Sequence, residues 1–271
     1  MPELPEVETT RRGILPHIKS RRVTKIILRQ EKLRWPITPA LAKELPGQTF
    51  RSVKRRGKYL LLGTDIGTLL IHLGMSGSLR IVDQKRPVGK HDHVDIVLDD
   101  GHILRYTDPR RFGCMLWLQS DIESHPLLRS LGPEPLGSQF TGVHLFDRSR
   151  KRVAAIKSFI MDSRIVVGVG NIYASEALFL SGISPKRAAG NVSLRRYQKL
   201  AECIRQILQQ AIKAGGTTLR DFTDSNGNPG YFKQSLRVYG RAGLPCMTCK
   251  KPLKEIRLGQ RSTVYCSTCQ T

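Results

Sequence analysis

The sequence Val94-Asp-Ile-Val-Leu-Asp-Asp-Gly-His-Ile-Leu-Arg-Tyr106 carries the clearest secondary-structure pattern in the chain. Two short runs rich in Val, Ile and Leu flank Asp99-Asp100-Gly101, and an Asp-Gly pair in this position is typical of a β-hairpin turn. Similar strand-forming runs occur on both sides of this hairpin, at residues 22–28, 50–62, 68–73, 78–82 and 112–118. Many short strands separated by turns predict a β-sandwich or a β-barrel. We expect this first domain to end near the Gly-Pro-Glu-Pro sequence at residues 132–135.

After residue 135 the apolar residues repeat with a helical period. The spacing predicts helices over residues 143–161, 172–180 and 193–214, and Gly215-Gly216 is expected to end the last of them. Residues 217–230 are polar and rich in Gly and Asn. We therefore expect a long loop there, of the kind that often carries function.

The start of the chain has its own short helical pattern. Leu4, Val7, Arg11 and Ile14 are spaced for one helical face, and Gly13 and Pro16 are expected to break the helix. Burial of that face would hold the residues that precede it in a fixed position. No basic region followed by an apolar run is present here, so we do not expect a signal peptide.

The composition points to a polyanionic partner. The chain has 271 residues, enough for two or three domains, with 45 Lys+Arg against 22 Asp+Glu and a formal net charge of +23. The positive charge is spread along the chain and would attract nucleic acid largely without regard to sequence. A ribosome-associated or membrane-surface protein is the alternative. No apolar run approaches the ~18 residues of a membrane span, so we expect no membrane association.

Four of the six cysteines form two Cys-x-x-Cys pairs near the C-terminus: Cys246, Cys249, Cys266 and Cys269. Their spacing is typical of a zinc ribbon, in which two knuckles close a tetrahedral site. Iron is the less favoured occupant. Because four cysteines leave no ligand position for a substrate, we expect one structural Zn²⁺ per chain. Cys114 and Cys203 are isolated and are expected to be free thiols, which favours a reducing, cytoplasmic compartment.

Pro2 is a candidate nucleophile. Removal of Met1 would leave Pro2 with a secondary amine, and an α-amino group titrates near roughly 7.7–8.0. Attack of this amine on a sugar aldehyde gives an iminium ion, which is an electron sink for breaking neighbouring bonds. Glu3 could exchange protons with the sugar or the leaving group. The alternative is an ordinary helix start, because Pro and Glu both suit a first helical turn.

Lys58 follows a basic run and precedes Tyr59-Leu-Leu-Leu62. Strand alternation would bring one basic residue onto the inner face of this strand, so Lys58 is a candidate catalytic residue. On the residues alone, an exposed lysine at the end of a strand is an equal alternative.

Asp108-Pro-Arg-Arg-Phe-Gly113 places cations and an aromatic ring at a turn. An enzyme that acts on a base in duplex DNA must extrude it, and a side chain must fill the gap. Phe112 could stack there and Arg110 could bond the orphaned base, with Met75 on a second turn as an apolar plug. The alternatives are core packing for Phe112 and Met75, and solvent exposure for the arginines.

Two further motifs could contact phosphate. His91 and His93 would face the same side of a strand, but no third metal ligand is evident, so a histidine–phosphate contact is the better interpretation. Gly168-Val-Gly-Asn-Ile-Tyr173 lacks the third glycine of a dinucleotide-binding motif. A Gly-rich turn that leads into a helix would instead offer backbone N–H groups and Asn171 to a phosphate.

The chain resembles the bacterial formamidopyrimidine-DNA glycosylases over essentially its full length. The resemblance begins with Pro2-Glu-Leu-Pro-Glu-Val-Glu8. It continues in order through the motifs at residues 57–59, 74–77, 90–93, 108–113, 168–176, 215–217 and 234–240, and ends with the four-cysteine ribbon. One departure is Ser158, where relatives often carry proline after the lysine at position 157.

This resemblance implies an α+β multidomain fold with DNA lying across a cleft. Residues 1–133 would form a catalytic β-sandwich domain with flanking helices. Residues 134–234 would form a helix–two-turns–helix DNA-binding domain with a lesion-recognition loop at 217–231, and residues 235–271 a four-cysteine zinc finger. The partner would be damaged double-stranded DNA, and the protein a monomer.

The resemblance also implies residue roles. Pro2 would be the Schiff-base nucleophile and Glu3 the general acid/base. Lys58 would be the proton donor for β-elimination, and Arg261 would act in δ-elimination and phosphate binding. The DNA contacts would be Met75, His91, Arg110, Phe112, Arg152, Lys157, Asn171 and Tyr239.

The activity implied is that of a bifunctional glycosylase and abasic-site lyase in base-excision repair, acting on 8-oxoguanine and formamidopyrimidines. The alternative within the same architecture is an endonuclease VIII-like glycosylase for oxidised pyrimidines. The alternative from another class is a non-catalytic zinc-ribbon DNA-binding protein. Leu4 and the Met75, Arg110 and Phe112 set favour the purine enzyme.

Overall fold

The computed structural model describes residues 2–119, 121–217 and 235–271. These residues divide into two compact units. Residues 2–119, 121–129 and 214–217 belong to the first unit, and residues 130–213 and 235–271 to the second. Each unit has its own buried core.

The first unit is a sandwich of two antiparallel four-stranded sheets. One sheet contains β1 (Val23–Leu28), β5 (Ser78–Val82), β6 (Asp92–Leu98) and β7 (Ile103–Thr107), in the order β1-β6-β7-β5. The other contains β2 (Ser52–Arg56), β3 (Tyr59–Gly63), β4 (Thr68–His72) and β8 (Cys114–Leu118), in the order β2-β3-β4-β8. The predicted hairpin at residues 94–106 is confirmed, since β6 and β7 pair antiparallel around Gly101, which has φ +85°.

Alternating residues of both sheets form the core between them. Leu60, Leu62 and Ile71 from one sheet and Ile96 and Leu104 from the other are fully buried in a single hydrophobic cluster. Burial of one face of each sheet is the arrangement that period-2 alternation produces. The sandwich interpretation is therefore confirmed.

Helix α1 (Leu4–Ile18) packs its apolar face, including Val7 and Ile14, on this core. The prediction that Gly13 and Pro16 break this helix is wrong, because the helix runs through both residues. Tertiary burial of Ile14 and Ile18 outweighs the cost of the two poor helix formers. A second short helix, α2 (Pro39–Glu44), was not predicted and buries Leu41.

The second unit is built around α5 (Asn171–Leu180), which is buried on nearly all sides, and the amphipathic α6 (Leu194–Lys213). The predicted end of α6 is confirmed, with Gly215 and Gly216 at φ +74° and +84°.

The prediction of one helix over residues 143–161 is wrong. The chain forms α3 (Gly142–Ser149) and α4 (Ile156–Ile160), and the residues between them are not helical. Arg150 ends α3: its Nε donates to Phe146 O at 3.0 Å and its guanidinium lies 3.8 Å from the centroid of the Phe146 ring. Lys151 then takes a left-handed backbone conformation with φ +60°.

The C-terminal part of this unit is a hairpin of β9 (Lys254–Leu258) and β10 (Arg261–Tyr265). Gly259 and Gln260 form its two-residue turn, and both have positive φ, as a tight hairpin turn requires. Within the described part of the chain, no helix combines the length and apolar character that crossing a membrane requires.

Candidate active site and nucleic-acid interface

Pro2 and Glu3 lie immediately before the first turn of α1. Both are buried, and Glu3 is 2% exposed. Leu4 and Val7 are buried beneath them, so the helix holds this end of the chain in the sandwich as expected. The backbone that carries the candidate nucleophile is therefore anchored by hydrophobic packing.

The carboxylate of Glu6 fixes this segment a second time. Its Oε2 accepts from the backbone N–H of Glu3 at 2.8 Å, and its Oε1 accepts from that of Thr217 at 2.8 Å. Gly216 makes the second contact possible, since a Cβ there would lie 3.1 Å from Glu6 Oε1. Glu6 thus joins the residue next to Pro2 to the start of the polar segment after α6.

This role of Glu6 was not predicted from the sequence. A Glu at the third helical position commonly bonds the backbone N–H of the residue that caps the helix, so the Glu3-x-x-Glu6 spacing could have revealed it. Residues 218–231, the greater part of the expected lesion-recognition loop, lie outside the described residues.

Lys58 lies in the tight turn between β2 and β3. The expectation that it faces inward from a strand is wrong, because Gly57, with φ +56°, turns the chain before the apolar strand begins. Arg55 holds this turn by donating to Gly57 O at 2.8 Å. The turn therefore presents Lys58 from a fixed backbone.

Arg55 also connects the Lys58 turn to α1. Its Nε donates to Glu8 Oε2 at 3.1 Å, and Glu8 accepts further bonds from Arg11 and Arg12. Burial alone would raise the pKa of Glu8, but these arginines lower it to about 2. The ionised carboxylate links the helix that follows Pro2 with the turn that carries Lys58.

His72, at the end of β4, is a neutral neighbour of this turn. Burial, together with the positive charges of Lys58 and Arg34, lowers its pKa to about 4. Its Nδ1 accepts from the backbone N–H of Gly74 at 3.0 Å. The neutral ring adds no positive charge beside Lys58 and helps shape the turn that carries Met75.

The structure brings the three candidate gap-filling residues onto adjacent turns. Met75 is 37% exposed and Phe112 is 49% exposed, which excludes core packing for both. The guanidinium carbon of Arg110 lies 5.6 Å from the centroid of the Phe112 ring. Gly74, at φ +64°, lets the turns touch, since a Cβ there would lie 2.4 Å from Gly113 N.

Asp108 holds both turns, and the sequence reasoning gave it no role. It is fully buried; its Oδ1 accepts from Ser76 Oγ at 2.8 Å, and its Oδ2 accepts from Gly113 N at 2.9 Å and Tyr106 Oη at 3.1 Å. An acid that opens a turn and bonds the N–H groups beyond it is a common turn device. That local pattern is readable in the sequence, but the contact with Ser76 is not.

His91 and His93 have separate environments. His93 is buried, and its Nε2 lies 2.8 Å from Asp108 O, whereas His91 precedes β6 and is half-exposed. The pairing of β6 with β7 is irregular between Asp92 and Val94, so strict alternation does not apply there. The structure is consistent with His91, and not His93, as the residue available to a phosphate.

In the second unit, a Gly-rich turn leads into α5 as expected. Gly168 has φ +81°, Gly170 caps the helix, and Asn171 is its first residue. Asn171 Nδ2 donates to Ser262 O at 3.2 Å, while its buried Oδ1 accepts no bond from the described residues. The N-terminus of α5 therefore offers polar groups of the kind that bind phosphate.

Lys157 lies beside Asn171 through their shared partner, Ser262. It is 1% exposed, and its Nζ donates to Thr263 Oγ1 at 2.8 Å and to Ser262 O at 3.3 Å. Both acceptors belong to β10, whose first residue is Arg261. Arg261 is exposed and directly follows the hairpin turn.

Of the basic residues at 150–152, Arg150 and Arg152 differ in their partners and exposure. Arg150 is engaged with Phe146 and also donates to Val192 O at 3.0 Å. Arg152 is exposed, and among the described residues no carboxylate lies within ion-pair distance of it. Arg152 is the better candidate for a phosphate contact.

Tyr239 is held by Glu176 of α5, another residue that the sequence reasoning left without a role. The buried carboxylate of Glu176 accepts from the backbone N–H groups of Arg237, Val238 and Tyr239 at 2.8–2.9 Å. Burial raises the pKa of Glu176 in spite of these bonds. A buried acid inside an otherwise apolar helical run is the one sequence signal that could have identified it.

The four predicted zinc ligands converge. The Sγ atoms of Cys246, Cys249, Cys266 and Cys269 all lie within 4.8 Å of one another, and no other such group occurs among the described residues. The Sγ–Sγ distances are 4.0 Å for Cys246–Cys269 and 3.4 Å for Cys249–Cys266. Tetrahedral Zn–S bonds of about 2.3 Å require sulfur atoms about 3.8 Å apart. The cluster therefore fits a structural zinc ion, held by these four thiolates.

Comparison with known proteins gives a consistent result over the whole chain. Three family models match: the formamidopyrimidine-DNA glycosylase N-terminal domain at residues 1–115, the H2TH domain of the same enzymes at residues 131–223, and a zinc finger found in FPG and IleRS at residues 243–271. The zinc finger match agrees with the cysteine cluster.

Similar proteins cover the full length. The formamidopyrimidine-DNA glycosylases of Cellvibrio japonicus and Stutzerimonas stutzeri are 61% and 60% identical over 270 residues, with 100% of each chain covered. Among solved structures, the MutM (Fpg) protein of Thermus thermophilus is 35% identical, with a TM-score of 0.89 over 99% of this chain and 98% of that one. The Lactococcus lactis Fpg bound to DNA that contains an abasic site is 33% identical, with a TM-score of 0.92 over 99% of both chains.

Identities of this size over complete chains, together with the fold and the cysteine cluster, confirm the resemblance seen in the sequence. The chain belongs to the formamidopyrimidine-DNA glycosylase family.

Proposed function

We propose that this protein is a bifunctional DNA glycosylase and abasic-site lyase that removes 8-oxoguanine and formamidopyrimidines from damaged duplex DNA. The observation that carries the proposal is the anchored start of α1. The backbone N–H of Glu3, next to Pro2, is held by Glu6, and the same helix is tied through Glu8 and Arg55 to the Lys58 turn. Positioning of reacting groups before the substrate binds lowers the entropy cost of the reaction.

The first step is extrusion of the damaged nucleotide. Met75, Arg110 and Phe112 enter the space that the base vacates: Phe112 stacks on the neighbouring bases and Arg110 bonds the orphaned base. Asp108 sets both turns in advance, so little ordering is required when DNA binds. Unstacking a base costs a few kcal/mol, which these contacts offset.

The second step is base release. The Pro2 nitrogen forms a bond to C1′ as the bond from C1′ to the base breaks, and the base leaves with that electron pair and a proton. Glu3 exchanges the protons. Opening of the sugar ring at the C1′–O4′ bond, with a proton delivered to O4′, leaves an iminium ion between Pro2 and C1′.

The third step is strand cleavage. The iminium ion acidifies C2′; loss of a C2′ proton expels the 3′ phosphate by β-elimination, and a second elimination expels the 5′ phosphate. Lys58 serves as the proton donor in β-elimination, and Arg261 acts in δ-elimination and phosphate binding. The two leaving groups are phosphates, so nearby cations stabilise the charge that they acquire.

DNA phosphates are bound by His91 in the first unit and by Arg152, Lys157, Asn171 and Tyr239 in the second. The zinc ion supplies no chemistry to the reaction, because its four thiolate ligands leave no open position. It holds the hairpin that carries Arg261.

We further propose that the protein acts as a monomer in the cytoplasm. Four cysteines reserved for zinc and two buried thiols without disulfide bonds suit a reducing compartment. The domain limits proposed from the sequence are 1–133, 134–234 and 235–271.

A substrate panel tests the proposed activity. Duplexes that contain 8-oxoguanine opposite cytosine should lose the base and be cut on both sides of the abasic sugar, and duplexes that contain thymine glycol should react far more slowly. Preference for thymine glycol would instead identify an endonuclease VIII-like enzyme. Binding without any cleavage would indicate a DNA-binding protein alone.

A further inference from the structure

A basic cavity lies against the Phe112 turn and contains residues to which no role has been given. Its volume is about 540 Å³. Lys32, Arg34, Arg110 and Arg111 line it together with Gln30 and Phe112, and none of the described residues that line it is acidic.

The four cations lining the cavity have no anionic partner in the part of the chain that the structure describes. Among the residues that the structure describes, no carboxylate lies within 4 Å of their charged groups. Glu31 belongs to the same loop as Lys32 but does not line the cavity. Four uncompensated positive charges around one concave surface favour an anion over a neutral ligand.

Contacts within the protein hold the walls of the cavity in place. Leu33 is buried in the sandwich core and anchors one wall, and the backbone N–H of Arg34 donates to Gly113 O at 3.0 Å, which joins that wall to the Phe112 turn. Arg111, which also lines the cavity, has φ +56°, a left-handed conformation that is uncommon for residues other than Gly, Asn, Asp and His. Strain of this kind is typical of functional sites, where it directs a side chain.

We propose that this cavity seats a backbone phosphate of the undamaged DNA strand, next to the base that is left without its partner. The inference rests on the proposed function. Arg110 belongs both to the cavity and to the gap-filling set, so the orphaned base and the cavity share one side chain. The phosphates closest to that base belong to its own strand, and neither Pro2, Glu3 nor Lys58 lines the cavity. The reacting sugar therefore lies elsewhere, and Lys32 and Arg34 contact the other strand.

The test uses the double variant Lys32→Gln with Arg34→Gln in the full chain. Its matched control is Lys25→Gln with Lys43→Gln, which removes the same charge from exposed lysines outside the cavity. Affinity is measured for a duplex with a tetrahydrofuran abasic analogue, with single methylphosphonates replacing phosphates one at a time along each strand.

Replacing one particular phosphate of the undamaged strand with a methylphosphonate should weaken wild-type binding about tenfold. The cavity variant, Lys32→Gln with Arg34→Gln, should bind the unmodified duplex about tenfold more weakly than the wild type does. The same methylphosphonate should not weaken its binding further. For the cavity variant, the slope of the logarithm of the binding constant against the logarithm of the salt concentration should be shallower by about one. The cavity variant should bind the single-stranded lesion oligonucleotide as the wild type does, and the control variant should respond to every methylphosphonate as the wild type does.

The cavity assignment would be overturned if the control variant lost as much affinity as the cavity variant. It would also be overturned if every methylphosphonate of the undamaged strand weakened the cavity variant as much as the wild type, or if the insensitive phosphate lay on the damaged strand. Excision of 8-oxoguanine by the wild type is measured in parallel. Normal excision without the coupling overturns the cavity assignment alone, whereas absent excision overturns the proposed function and this inference with it.

Discussion

At the scale of single residues, buried acids determine where the candidate reactive groups lie. Glu6 bonds the backbone next to Pro2, Asp108 bonds the turns of Met75 and Phe112, and Glu176 bonds the backbone of Tyr239. Each of them accepts hydrogen bonds from backbone N–H groups, so each fixes the position of a segment of the backbone. Removal of such an acid would leave buried N–H groups unsatisfied, at a cost of roughly 1–3 kcal/mol each.

His72 gives a prediction about pH. The folded protein binds a proton on this imidazole only near pH 4, against 6.5 for an unperturbed histidine. Between these values the unfolded chain binds more protons, so the free energy of unfolding falls as the pH is lowered from 6.5 to 4. The full effect of this residue is up to about 3 kcal/mol.

The variant His72→Gln keeps an acceptor for Gly74 N–H but does not titrate. Urea unfolding at a series of pH values should show that its stability depends less on pH than that of the wild type between 6.5 and 4. The bonds of Glu8 to its three arginines lose their contribution to the free energy of unfolding at lower pH, below about 4.5. This loss should be the same in both proteins and serves as the internal reference. Identical pH profiles for the two proteins would contradict the buried neutral state of His72.

At the scale of elements, the sequence identified what depends on local pattern. Alternation located the strands of the sandwich, and Gly215-Gly216 located the end of α6. The break between α3 and α4 could not be predicted, because it depends on Arg150 folding back over Phe146. The position of Lys58 in a turn was missed because its neighbours are equally suitable for a strand.

The same distinction holds for the candidate site. The spacing of the cysteines was sufficient to predict the zinc site, since knuckle geometry is local. The networks of Asp108 with Ser76 and of Glu6 with Thr217 join residues that are distant in the chain. No local pattern encodes such contacts, so only the folded structure reveals them.

The Phe112 turn gives a prediction at this scale. Phe112→Ala removes a half-exposed ring and leaves the Asp108 bonds intact, so the fold should persist. Excision of 8-oxoguanine from a duplex should fall about tenfold or more, because the gap left by the extruded base is no longer filled. Binding to an abasic-site duplex, where less stacking is lost, should change less. Equal losses on the two substrates would show that Phe112 serves general affinity.

The zinc hairpin gives another prediction. Cys249→Ala leaves three thiolates, so the protein should lose its zinc and much of its affinity for DNA. The first unit should stay folded, and the fluorescence of Trp35 and Trp117, both of which lie in that unit, should be unchanged. Cys203→Ala is the control and should retain one zinc per chain in elemental analysis. Full zinc content in the Cys249 variant would contradict the four-thiolate site.

At the scale of the whole molecule, the described chain places different tasks in its two units. The first contains Pro2, Glu3, Lys58, the gap-filling turns and His91, and the second contains the other candidate phosphate contacts and the zinc hairpin with Arg261. The net charge of +23 extends over both. Base release and β-elimination are thus assigned to the first unit, and δ-elimination and part of the affinity for DNA to the second. These assignments predict that variants in the two units affect different kinetic parameters.

The central claim is that the nitrogen of Pro2 attacks the sugar, and trapping with borohydride tests it most directly. Borohydride reduces an iminium ion to a stable amine, so enzyme and 8-oxoguanine duplex should give a covalent complex. Peptide mapping should place the crosslink on Pro2 with Met1 absent. A protein that carries additional residues before Pro2 has an amide nitrogen there and should lose trapping, base release and strand cleavage together. Lys58→Ala should still be trapped, because its proposed task is proton transfer. A crosslink mapped to Lys58, or trapping that survives the N-terminal extension, would contradict the account.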